Sequence, residues 1–91
     1  MPRSQLLYSP QAARQLEELP QQTRLLVELH LENLAQFAEF AGRLPANLVQ
    51  EGAYFVTEAP GARVSVSHHE AFSTVTVHQI EPFPQTSTAL G

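Results

Sequence analysis

The sequence predicts an α+β domain in which an N-terminal strand is followed by a helical hairpin and three antiparallel strands, in the order β-α-α-β-β-β. Two observations carry this. Apolar residues recur at helical spacing from Pro10 to Gly42, and from Ala53 onward they alternate with polar ones, the period of a strand with one face buried. The length sets the scale: 91 residues, 43% hydrophobic and 15% charged, suffice for one modest core and not for two. Residues 1–83 are expected to form this one domain, with 84–91 a loose tail of small and polar residues.

Each element has a local reason. Gln5 to Tyr8 is a short strand. Ser9 is a good N-cap and Pro10 suits the first helical position, while Ala12, Ala13, Leu16 and Leu19 supply an apolar helix face. Pro20 breaks the chain before a second helix, which Gly42 ends. The polar stripe of that helix runs Arg24, Glu28, Glu32, Gln36, Glu39 and Arg43. Its other faces carry Leu25, Leu26, Leu29, Leu31, Leu34, Phe37, Phe40 and Ala41, and a wide buried side is expected from them. RLPANLVQEG reads as a connector punctuated by Pro45 and Gly52.

AYFVTE is the next strand, Pro60-Gly61 a turn, and ARVSVS and STVTVHQI the last two strands. A two-residue turn would place Phe55 on the face of the valines; a loop one residue longer would place Tyr54 and Val56 there. Val64, Val66, Val75 and Val77 fall at alternate positions, so one face of the final hairpin is expected to be core. Pairing Val66 with Val75 sets Ser65 against Thr76 and Arg63 against His78 on the other face.

Charge narrows the partners. The five basic residues are all arginines spread along the chain, the nine acids are all glutamates, and the net charge is −4. Phosphate backbones are bound by clustered positive charge, so nucleic acid is disfavoured. No apolar run is long enough to span a bilayer and no secretion signal is evident, which points to a cytoplasmic protein without a membrane partner. The absence of cysteine excludes disulfides and thiolate metal sites and agrees with a reducing compartment.

Three groups of residues invite chemistry. An arginine at 63 could hold a phosphate or carboxylate while the imidazole of His78 moves a proton, although Arg, Ser, Thr and His are also ordinary occupants of a wetted sheet face. His68, His69 and Glu70 have metal-ligand chemistry, but adjacent strand residues point to opposite faces and no fourth ligand stands nearby, so a solvated turn is expected. His30, between Leu29 and Leu31, reads as a helix-edge residue. No glycine-rich phosphate loop or paired acid and base carboxylates are present, and no metal or cofactor is expected.

The stretches LLYSPQAARQLEELP, EGAYFVTEAPGARVSV and TVTVHQIEP, together with the long second helix, resemble the RelE/ParE toxin superfamily of bacterial toxin–antitoxin systems over about residues 4–82. The resemblance implies a cognate antitoxin whose extended segment or helix wraps the helices and sheet. It also implies a working face on the open side of the sheet, where Arg63 stands at the position of a phosphate-contacting arginine. In the RNase branch such residues promote metal-independent cleavage of messenger RNA on the ribosome. Here the candidates would be Arg63 with His78, helped by Tyr54. The chain departs from that branch: it has no lysine, ANLVQEGAYFVTEA carries glutamates and no basic residue, and EPFPQTST replaces the C-terminal arginine and tyrosine. A member acting by protein binding, or catalytically weakened, is therefore expected first, an active RNase second, and an unrelated protein-binding adaptor third.

Overall fold

The computed structural model of the chain describes residues 5–83; the tail expected at 84–91 lies outside them. The elements are β1 (Gln5–Tyr8), α1 (Pro10–Glu17), α2 (Gln21–Ala41), β2 (Val49–Glu51), β3 (Tyr54–Ala59), β4 (Ala62–His69), a 3-10 turn (Glu70–Phe72) and β5 (Thr74–Pro82). The strands form one five-stranded sheet in the order β1-β5-β4-β3-β2. From β2 to β5 the chain is an antiparallel meander, and β1 lies parallel to β5, with Leu6 beside Val75 and Tyr8 beside Val77.

The α+β reading therefore holds, with two additions. The connector holds a strand of its own, β2, which pairs Val49 with Val56 and Glu51 with Tyr54. All of its residues are exposed, so it has no apolar alternation that a sequence reader could detect. The first strand is also a full member of the sheet and joins it in parallel.

α1 starts where the sequence signals place it. The Ser9 hydroxyl accepts from the Ala12 N–H at 3.1 Å, and Pro10 occupies the first turn. α2 ends at Gly42, whose φ of 74° is the left-handed conformation that closes a helix. Both helices cover one face of the sheet. Val64, Val66, Val75, Val77 and Ile80 are sealed there against Ala12, Leu16, Val27, Leu31 and Leu34. Each large aliphatic side chain so buried contributes on the order of 1.5–3 kcal/mol.

The buried face of α2 is narrower than its composition suggests. Val27, Leu31, Leu34, Ala35 and Ala38 face the sheet, whereas Leu25, Leu26, Leu29, Phe37 and Phe40 are exposed, Phe40 almost wholly so at 97%. A helix lying on one sheet buries a single stripe. With residues advancing about 100° each, the apolar side chains of α2 span more than one stripe can cover.

The Pro60-Gly61 turn has two residues, with Ala59 paired to Ala62 and Phe55 to Val66, so Phe55 is the residue on the valine face. The register expected for the last hairpin is corrected. Val66 pairs with Val77 rather than Val75, and Arg63 stands opposite Glu81 rather than His78. The cause is a β-bulge in β5: Ser65 pairs with Gln79 while Val66 pairs with Val77, leaving His78 as the extra residue. All four valines still share one face, and the bulge shifts the phase of β5 so that Ile80 joins them in place of Gln79.

Gly61 adopts φ 92°, and a Cβ placed on it would lie 2.8 Å from Thr23 Cγ2 on α2. Gly61→Ala is expected to lower stability by about 1–3 kcal/mol through its backbone conformation and this clash. Urea unfolding measures it; adding Thr23→Ser, which removes the opposing methyl, should recover the steric part and leave the backbone part.

Candidate functional site

Beyond Tyr8 the chain turns into α1, so the edge of β5 from His78 onward loses its strand neighbour. Backbone groups left bare there need other partners. The first residues of the helical layer supply them. The Ser9 N–H donates to the Val77 carbonyl at 2.9 Å and the Ser9 hydroxyl donates to the His78 carbonyl at 3.1 Å. In a regular strand these consecutive carbonyls would point to opposite neighbours; at the bulge both turn toward Ser9. Two residues further on, the Ile80 N–H donates to Gln15 Oε1 of α1 at 2.7 Å. The bulge is thus held from the helical side, and it aims His78 at the open face of the sheet.

On that face the His78 ring stacks on Tyr54, with centroids 4.3 Å apart and planes at 24°. Tyr54 is on β3 and His78 on β5, with β4 between them. Strands two apart are separated by roughly 10 Å, so the rings meet only by leaning over the intervening residue. That residue is Ser67, small enough to lie beneath them, and its hydroxyl shares a 2.8 Å hydrogen bond with His78 Nε2. Tyr54, Ser67 and His78 form a half-exposed cluster in which the imidazole is oriented by a ring face and a hydroxyl.

Arg63 stands elsewhere on the same face, four residues from Ser67 along β4 and so roughly 13 Å away at the backbone. It occupies the middle of a row across three strands, opposite Glu58 on one side and Glu81 on the other. Its Nη2 lies 3.9 Å from Glu58 Oε2, with both side chains about half exposed or more. Exposed pairs of this kind contribute about 0–1 kcal/mol, so the guanidinium is compensated in charge without being locked in place. It borders a cleft of about 400 Å³ with His30, Thr57 and Glu58, and one of about 180 Å³ with Glu81, Pro82 and Phe83.

The structure thus brings together two of the three residues singled out from the sequence, Tyr54 and His78, and separates Arg63 from them. Ser67 joins the pair. Its place on the polar face was readable from alternation, but its bond to His78 depends on the bulge, which no local residue pattern announces.

His68 and His69 fall on opposite faces of β4. His68 is half buried beside Val75 on the core side, while exposed His69 rests against Phe72 with centroids 4.9 Å apart. Among the described residues, no group of three His, Cys, Asp or Glu side chains is placed to hold a metal ion, and no helix is long and apolar enough to cross a membrane.

His30 does more than edge its helix. Its Nε2 shares a 2.7 Å hydrogen bond with Thr57 Oγ1, and Thr57 is a threonine on the valine face of β3, only 4% exposed. The imidazole satisfies a hydroxyl that would otherwise be buried without a partner. Burial holds the His30 pKa below its usual value. Tyr8 is pushed up to about 12, mainly by burial and further by Glu28 and Glu32, so it remains a neutral phenol at physiological pH.

No family model and no curated protein matches the chain by sequence. By structure it has the RelE toxin fold. It is similar to the isolated Escherichia coli RelE toxin, with TM-score 0.70 and 14% identity over 91% of this chain and 87% of that one. It is likewise similar to a chain of the Mycobacterium tuberculosis RelBE2 toxin–antitoxin complex, with TM-score 0.69 and 14% identity over 91% and 100%. A chain of the Methanococcus jannaschii RelB–RelE complex gives TM-score 0.58 and 14% identity over 84% and 88%.

The His30–Thr57 bond predicts a pH dependence of stability. The unfolded chain, with an ordinary histidine pKa near 6.5, takes up a proton before the folded chain does. The His30 contribution is therefore fully present above about pH 6.5 and declines as the pH falls through that value toward the lower folded pKa. The urea midpoint should drop between about pH 7.5 and 5.5, and His30→Gln, which keeps a partner for Thr57 but does not titrate there, should flatten the drop. An unchanged slope in the variant would contradict this assignment.

Proposed function

We propose that this chain is a RelE-like toxin of a bacterial toxin–antitoxin pair that works in the cytoplasm by binding a protein target through its open sheet face, not by cutting RNA. The observation that carries the reading is the charge of that face. Its arginine lies in a row between Glu58 and Glu81, and Glu51 pairs opposite Tyr54 at the same sheet surface. Holding a phosphodiester and stabilising its pentavalent transition state asks for preorganised positive charge, whereas this face offers glutamates in excess over arginine. The RelE-like fold supports the toxin part of the reading. An antitoxin partner comes with it, since solved structures similar to this chain include toxin–antitoxin complexes.

A second reading has its own observation. The Tyr54–His78 stack, with Nε2 held by Ser67, is the kind of oriented imidazole that moves protons, and Arg63 is exposed enough to turn toward a phosphate. This is the metal-independent messenger RNase, with His78 exchanging a proton with the ribose hydroxyl or the leaving oxygen, Tyr54 fixing the ring and Arg63 meeting the phosphate. The backbone offset of Arg63 from the cluster, roughly 13 Å to Ser67 along β4 and three residues along β5 from Glu81 to His78, weighs against it.

Induced expression of the wild type, Arg63→Ala and His78→Ala at matched levels separates the readings. A toxin acting by binding arrests growth in the wild type and in at least one variant, and it leaves messages intact in cell-free translation. An RNase loses its arrest in both variants, with message cleavage falling by about 100-fold or more. Growth unaffected by all three proteins would overturn the toxin reading itself.

A further inference from the structure

Within the polar cluster of the open sheet face, Ser67 carries a hydroxyl whose own reactivity neither protein binding nor RNA cleavage uses. Its Oγ lies 2.8 Å from His78 Nε2, the contact a serine nucleophile makes with the imidazole that activates it. Serine beside histidine is commonplace on a wetted sheet; what distinguishes this pair is that the imidazole is held in place. The Tyr54 ring packs against it with centroids 4.3 Å apart, and its backbone is fixed at the bulge by the bond from the Ser9 hydroxyl to the His78 carbonyl. Ser67 and His78 both keep partial exposure, so the hydroxyl is open to a reagent arriving over the sheet.

The register sets Ser67 in a row that crosses the sheet. Tyr54 stands beside it on β3, one step past the Phe55–Val66 pair. Thr76 stands beside it on β5, and Leu7 beside Thr76 on β1. Neighbours in such a row have Cβ atoms about 4.5–5.5 Å apart, which brings the Thr76 hydroxyl within reach of an oxygen on an atom bonded to Ser67. Leu7, half exposed, offers an apolar rest two strands and roughly 10 Å from Ser67. No arginine stands in this row, since Arg63 lies four residues away along β4. These neighbours suit a neutral carbonyl compound with a short aliphatic chain and offer a phosphate no cation.

We propose that Ser67, activated by His78, is a nucleophile that takes an acyl group from a carboxylic ester with a short aliphatic chain. With Nε2 as acceptor, the Ser67 proton passes to His78 as Oγ adds to the carbonyl carbon. The Thr76 hydroxyl donates to the oxyanion that forms. Collapse of the tetrahedral adduct breaks the bond to the leaving oxygen, which takes the proton from His78, and an O-acyl serine and an alcohol result. Water then gives a proton to His78 and attacks the acyl carbon; the Ser67 oxygen leaves with that proton, and a carboxylic acid is released. Tyr54 is a positioning residue that holds the imidazole. This chemistry is independent of any toxic activity.

β4 is an inner strand between β3 and β5, so its backbone N–H groups are committed to the two ladders. The main chain at Ser67 therefore has no donor to give an oxyanion, and Thr76 supplies one where an oxyanion hole commonly has two. The acyl group is expected to build up on Ser67 in place of rapid turnover, which makes it directly observable.

The test incubates the full chain with p-nitrophenyl acetate, following nitrophenol release and locating the acetyl group by peptide mass spectrometry. A burst of roughly one equivalent with acetyl on Ser67 is expected. Ser67→Ala should abolish burst and adduct, whereas Ser67→Cys should take the acetyl group on its thiol, which separates loss of the nucleophile from loss of the fold. His78→Ala should slow acetylation of Ser67 by about 100-fold, with free imidazole restoring part of the rate. Tyr54→Ala should slow it by about tenfold through misorientation of the ring, and Tyr54→Phe, which keeps the stack, should restore most of that loss. Acetyl found only on histidines or the amino terminus, a burst that survives Ser67→Ala, or acetylation of Ser67 indifferent to His78→Ala would overturn the proposal.

Discussion

One extra residue in the last strand governs the architecture around the open face. β5 lies between β1, the edge strand on one side of the sheet, and β4, yet β1 ends at Tyr8 and leaves the second half of β5 with a bare edge. Bare backbone groups next to a core are costly, commonly about 1–3 kcal/mol each when left unpartnered. The bulge at His78 turns two successive carbonyls toward Ser9, and Gln15 accepts from the N–H of Ile80. The same residue that caps α1 therefore also pins the bulge, so the start of the helical layer and the phase of the last strand are tied together at Ser9. Ile80 gains the core by this arrangement and His78 gains the open face.

Much of this was legible in the chain and some was not, for identifiable reasons. Ser9-Pro10 and Gly42 marked helix ends because capping is a local matter of a few residues. The alternation of Val64, Val66, Val75 and Val77 revealed a buried face because strand period is local too. The register was not local. Putting four valines on one side is satisfied by pairing Val66 with Val75 or with Val77, and the choice rests on how the 3-10 turn at Glu70–Phe72 and the bulge close the hairpin. β2 was invisible because all of its residues are exposed and only its partner strand makes it a strand. The outward leucines and phenylalanines of α2 were counted as core since composition cannot tell which of two apolar stripes faces the sheet. In the candidate site, Arg63, His78 and Tyr54 were identifiable by residue type; that Tyr54 and His78 touch while Arg63 stands apart was a consequence of register.

The molecule presents two surfaces of opposite kind. The open sheet face is mainly polar, with an aromatic–imidazole stack at one end, an arginine between carboxylates at the other, and Val56 and Val49 side by side on β3 and β2. The outer face of α2 is apolar and edged with acid. They are carried by a RelE-like fold in a chain of net charge −4 with no lysine. Between them, the His30–Thr57 bond closes the seam where α2 crosses β3.

The account rests on the bulge as the device that delivers His78 to Tyr54 and Ser67. The most direct measurement is the ring-to-ring contact of Tyr54 and His78 by nuclear Overhauser effects, in the wild type and in a protein carrying Ser9→Ala with Gln15→Leu. The account predicts strong contacts in the wild type and their loss or marked weakening in the variant, while the Val66–Val77 pairing persists. Rings that remain stacked without the Ser9 hydroxyl and Gln15 side-chain bonds would contradict it.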